Sequence, residues 1–218
     1  MRDILWCGAS HLGSAKSAIQ SQFNLSDFPY YITAGPRNSR WSGSGGRYFR
    51  DGASVGKNGH QPDKIIDLSA YSQIVFIGQW IKPARYLAGV KLMSDELLKQ
   101  VFHENCFVHL PSGVLNEPLS LFPEIIPGRC TLIPDPLPYS AEMAAVPDSY
   151  LRFMYSRLSD FCQKKGIRLF MPPAELLQGD RLLTKKEYCR QRLRDSNSHC
   201  SNDYWKIFFS KIGAELIG

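Results

Sequence analysis

Short, nearly continuous apolar runs alternate along this chain with amphipathic stretches, and that alternation limits the fold more than any other feature. The runs are "ILWC" (4–7), "YYITAG" (30–35), "SQIVFIG" (72–78), the start of "RCTLIPDPLP" (129–138) and "IRLFMPP" (167–173). Runs this short and this apolar suit strands covered on both faces of a parallel sheet. Between them lie helical patterns. In "HLGSAKSAIQSQF", Leu12, Ala15, Ala18 and Ile19 recur with helical spacing. In "DSYLRFMYSRLSDFCQKKG" (148–166), Asp148 suits an N-cap, Leu151, Met154, Leu158 and Phe161 line one face, and Gly166 is a stop. Residues 82–103 read as largely helical. "NDYWKIFFSKIGAELIG" closes the chain as a helix capped by Ser201 or Asn202. The expected architecture is a three-layer α/β/α fold with a mostly parallel sheet, built as one domain over residues 1–218.

Two segments stand outside the alternation. Residues 35–60 are rich in glycine and arginine, and "RYFRDGASV" places Asp-Gly between two strand-like pieces. This predicts a long loop with a small β-hairpin inserted in the domain. The polar residues 178–202 read as a loop or a broken helix.

Composition excludes several classes. The chain has 218 residues, 44% apolar and 21% charged, with a net charge of +6. These are globular values, and no apolar run approaches the ~18–20 residues of a membrane span. The first ten residues do not read as a secretory signal, so a cytoplasmic location is expected. Six cysteines, at 7, 106, 130, 162, 189 and 200, form no Cys-x-x-Cys and no disulfide framework. They read as reduced, mostly core residues. Nothing pairs His103 and His109 with acidic ligands at metal spacing, so neither a metal nor another cofactor is expected. Basic residues gather at Arg37, Arg40, Arg47, Arg50 and Lys57, and again from Arg181 to Arg194. They read as solvated faces, and nucleic acid is not an expected partner.

In an open parallel sheet, ligands bind beyond the carboxyl ends of the strands. The turn after the first strand, "CGASHLG", puts Ser10 there, at a helix start. The loop before the last helix, "DSNSHCSNDYW", offers His199, with Asp195 four residues earlier. Alone, Ser10 reads as an N-cap and His199 as a solvated loop residue. Together, at one edge of the sheet, they read as nucleophile and base.

"ILWCGASHLG" resembles the first block of the SGNH/GDSL hydrolase superfamily in its Gly-x-Ser-His variant, and "HCSNDYW" resembles its last block. "YYITAGP" and "IVFIGQW" match the second and third blocks in outline. The resemblance implies an ester-cleaving or acyl-transferring site: Ser10 as nucleophile, His199 as general base, and the N–H groups of Ser10 and Gly35 as oxyanion donors. Gly78 shapes the third loop. Trp80 stands where the third-block asparagine is usual, with Gln79 beside it, and Ser196 stands where the orienting aspartate is usual. Asp195, one residue earlier, is the expected carboxylate. A small-molecule ester, such as an O-acylated carbohydrate, is the implied substrate. The oligomeric state is left open.

Two other readings fit parts of the sequence. "GASHLG" spaces Gly8 and Gly13 as in a dinucleotide-binding fingerprint, with Asp27 downstream, but Ser10 replaces the central glycine. The Gly-rich loop, with Trp41 and Tyr48 as stacking platforms, would suit a non-catalytic binding module.

Overall fold

The computed structural model describes residues 4–8, 10–26, 30–32, 40–44, 47–51, 66–78, 123–124, 126–137, 148–189 and 200–217. Five strands form one sheet: β1 (Ile4–Gly8), β2 (Tyr30–Ile32), β6 (Gln73–Ile77), β7 (Cys130–Ile133) and β8 (Ile167–Leu169). Their spatial order is β2-β1-β6-β7-β8, and every pairing is parallel. The register aligns Gly8 with Ile77 and Ile77 with Ile133. The carboxyl ends of the three central strands are therefore flush.

Among the described residues, three long helices accompany the sheet: α1 (Ser10–Gln22), α2 (Asp148–Lys164) and α3 (Asn202–Ile217). Leu12, Ala15, Ala18 and Ile19 of α1 are buried, as their spacing predicts. The two alanines let α1 lie close to its neighbours. Those residues join Ile4, Trp6, Val75, Ile77, Ile133, Tyr204, Trp205, Phe208 and Phe209 in one core cluster. Aromatic rings dominate it: Trp6 lies 5.9 Å from both Phe23 and Phe209, centroid to centroid. Each fully buried ring stabilises the fold by roughly 1.5–3 kcal/mol.

The opposite face of the sheet carries Leu5, Cys7, Ile74, Phe76, Cys130 and Leu132, all at most 1% exposed. The steps β1 to β2 and β7 to β8 run in opposite directions across the sheet. Right-handed crossovers therefore set α1 and α2 on opposite faces. Leu151, Leu158 and Phe161 of α2 are buried. The helix stops where Gly166 takes φ +64°, a conformation that favours glycine.

The structure bears on the two segments that stand outside the alternation. β4 (Arg47–Asp51) pairs antiparallel with β3 (Arg40–Ser44) and with β5 (Ile66–Asp67). "RYFRD" is thus one strand of an antiparallel sheet, and the residues after Asp51 in the expected Asp-Gly hairpin lie outside the described residues. In the second segment, the structure corrects the expectation for residues 178–188. They are not a loop or broken helix, because β9 (Leu177–Gln178) and β10 (Arg181–Thr184) form an antiparallel hairpin followed by a 3-10 turn at Lys186–Tyr188. Gly179, at φ +59°, makes the reversal possible.

That hairpin has a positioning role. The Thr184 hydroxyl donates to the Leu137 carbonyl at 2.5 Å, and both residues are buried. The chain leaving β7 is thereby tied down just beyond the sheet edge. The helix predicted over 82–103 lies outside the described residues. Among those described, no helix is long and apolar enough to cross a membrane.

Candidate active site

The strand order reverses direction between β1 and β6: the chain goes from β1 outward to β2, then returns to β6 on the other side. A crevice opens at such a switch point, beyond the carboxyl ends of the strands. Ser10 is the first residue of α1, two positions after β1 ends. The N–H groups of a first helical turn point toward this edge and favour negative charge there. The turn is tight because Gly8 lacks a side chain. A Cβ at that position would come within 2.6 Å of both the Ile77 carbonyl oxygen and the Leu12 Cβ.

The next residue makes a buried polar contact at the edge. His11 Nε2 lies 3.2 Å from Asp135 Oδ1, with the two side chains 4% and 10% exposed. Asp135 follows β7 by two residues, in a buried Pro-Asp-Pro-Leu segment. A carboxylate this deep is tolerable only with a charged or hydrogen-bonding partner. Gly78 forms the floor beneath the pair. Its φ is +68°, and a Cβ there would fall 2.6 Å from His11 Cβ and 2.8 Å from Asp135 Oδ1. One contact thus joins the exits of β1, β6 and β7.

Tyr204, in the first turn of α3, lies in the same buried region. Burial, then the neighbouring Cys200, Tyr155, Cys189 and Asp135, hold its phenol proton on well above the ordinary value of 10.0. α3 itself lies along α1. Ser17 Oγ donates to Asn202 Oδ1 at 2.8 Å, and Gly213 sits against Gln22 and Phe23. The two helices therefore run in the same direction, with the start of α3 toward the edge that holds Ser10. Ser201 caps α3, its hydroxyl accepting the Tyr204 N–H at 3.4 Å.

Of the residues singled out in the sequence, Ser10 and Gly78 come to this edge. Gly35, Gln79, Asp195 and His199 lie outside the described residues. His11 directly follows Ser10 in the sequence, but its partner Asp135 was not among the residues singled out. The available signal was an aspartate between two prolines immediately after a predicted strand. Among the described residues, no three His, Cys, Asp or Glu side chains gather as metal ligands.

A solved structure shares this fold. It is that of a protein from Bacteroides fragilis NCTC 9343 described as a "putative acylhydrolase"; the likeness has a TM-score of 0.50 at 11% identity and covers 99% of this chain and 86% of that one. No protein-family model matches the sequence, and no curated protein does. The likeness supports the arrangement of the sheet and helices.

The geometry also bears on the dinucleotide fingerprint. The last glycine of that motif serves close packing of helix on strand. Here Gly13 is exposed, and a Cβ added to it meets nothing within 4 Å. The strand order β2-β1-β6-β7-β8 also differs from the dinucleotide-binding order 3-2-1-4-5-6.

Proposed function

We propose that this protein is a serine esterase or acyltransferase of the SGNH/GDSL type, with Ser10 as nucleophile and His199 as base. The observation that carries the reading is the position of Ser10: first residue of α1, at the switch point, alongside a helix entered directly from the His199 segment. Ser17, which touches Asn202, lies about 10 Å below Ser10 along the helix axis. Three residues of extended chain, from Asn202 back to His199, span up to about 10 Å. That reach is enough to bring the imidazole to the level of Ser10.

In the proposed reaction, Ser10 Oγ attacks an ester carbonyl while His199 takes its proton, and Asp195 orients the imidazole and stabilises its charged form. The N–H groups of Ser10 and Gly35 hold the developing oxyanion, with Gln79 beside the third loop. The alcohol leaves with the proton from His199, and water or a second alcohol resolves the acyl-enzyme. An O-acylated carbohydrate is the substrate class proposed from the superfamily resemblance.

The test is hydrolysis of p-nitrophenyl acetate together with labelling by a fluorophosphonate. Ser10→Ala and His199→Ala should each abolish turnover at unchanged melting temperature, and the label should map to Ser10. Full activity in Ser10→Ala, or a label on another residue, would overturn the reading.

A further inference from the structure

Cys189 and Cys200 face each other across an isolated antiparallel bridge at the base of the segment 190–199. The backbone bond beside them runs from the Ser201 N–H to the Tyr188 carbonyl. A bond between the residues flanking the pair marks Cys189 and Cys200 as the non-hydrogen-bonded type of cross-strand pair. In such pairs the Cα atoms stand about 4.5 Å apart and the side chains lean together. A disulfide needs a Cα separation of about 4.4–6.8 Å. Both thiols are free and buried. They interact directly: a hydrogen bond with Cys189, and then burial, hold the proton on Cys200 above its ordinary range.

We infer that Cys189 and Cys200 are a disulfide-forming pair, a reversible covalent staple across the base of the segment that contains Asp195 and His199. The two partners are already opposed, and the separation typical of such a pair falls within the disulfide range. The oxidant is a small-molecule disulfide, RSSR. Cys189, 6% exposed against 0% for Cys200, is the entry point. Its thiolate attacks one sulfur of RSSR, forming a mixed disulfide and expelling RS⁻, which takes up a proton. Cys200 then gives its proton to solvent and attacks Cys189 Sγ, expelling the second RS⁻. Two cysteine thiols are oxidised to one disulfide, and RSSR is reduced to two RSH. Burial makes the exchange slow, because the thiolate is the reactive form.

The test equilibrates the folded full-length protein with oxidised and reduced glutathione at pH 8, quenches it with acid, and maps alkylated peptides by mass spectrometry. The expected result is a mass loss of about 2 Da, a peptide linking Cys189 to Cys200, and no intramolecular bond in Cys189→Ser or Cys200→Ser. Dithiothreitol should reverse it. Complete alkylation of both residues after equilibration, in protein whose circular dichroism is native, would overturn the inference. So would linkage of either residue to Cys106 or to another cysteine. The mapping is independent of the serine chemistry, so a mapped bond in a protein without esterase activity leaves this inference standing and removes only the other.

Discussion

His11 Nε2 and Asp135 Oδ1 meet at 3.2 Å in the interior of the sheet edge, joining the first turn of α1 to the exit of β7. Removing one partner from a buried polar contact can cost more than removing both, because the survivor keeps its desolvation penalty. Asp135→Ala should destabilise the protein by about 3 kcal/mol, and His11→Leu with Asp135→Ala should cost less than the two single changes added together. Urea unfolding of the three variants measures the coupling. Simple additivity would show that the pair contributes nothing as a pair.

Glycines 78 and 13 should respond in opposite directions to alanine. At Gly78 the backbone has φ +68°, and a Cβ would strike both His11 and Asp135. Gly78→Ala should cost about 2–4 kcal/mol through backbone strain and overpacking together. Gly13 lies inside α1 with open space around it. Gly13→Ala should stabilise by about 0.5–1 kcal/mol, since alanine restricts the unfolded chain and favours helix. Melting temperatures that move the same way in both variants would contradict this.

Stability should fall in alkaline solution. Burial pushes the Cys130 and Cys162 thiols up from 9.0 to about 12. An unfolded cysteine titrates near 8.5. Above that pH the unfolded chain releases protons that the folded chain retains, so ionisation pulls the equilibrium toward unfolding. The contribution is complete below about pH 8.5 and is lost progressively up to about pH 12, at about 1.4 kcal/mol per pH unit for each thiol. Cys162→Ala should flatten the pH dependence of the urea midpoint between pH 9 and 11 by that increment. A slope identical to that of the parent protein would remove Cys162 from the account.

Asp195 should matter to turnover and not to folding. A carboxylate stabilises the imidazolium formed during attack, and a neutral Ser196 hydroxyl cannot. Asp195→Asn should lower p-nitrophenyl acetate turnover on the order of 10²-fold or more, at nearly unchanged melting temperature. If His199 works without a carboxylate, the variant keeps its rate.

Much of the fold was legible because it follows local periodicity. Leu12, Ala15, Ala18 and Ile19 repeat at helical spacing and are buried. "IVFI" is apolar throughout and forms a central strand covered on both faces. Gly166 ends α2 for a reason written in its own chemistry. The hairpin at 177–184 was missed because its first strand has only two residues, too few to show alternation, and Gly179-Asp180 was its sole turn signal.

The sequence by itself determined the α/β class, the positions of the main strands and helices, and the presence of Ser10 at a strand-to-helix turn. Only the tertiary structure decided that Asp135 is the partner of His11, that Gly78 must leave room for both, and that Cys189 lies opposite Cys200. Periodicity states which face of an element is buried and is silent on which elements become neighbours. Those three contacts join residues far apart in the chain, and they exist because β1, β6 and β7 lie side by side in flush register and because the chain returns across Cys189 as it enters α3.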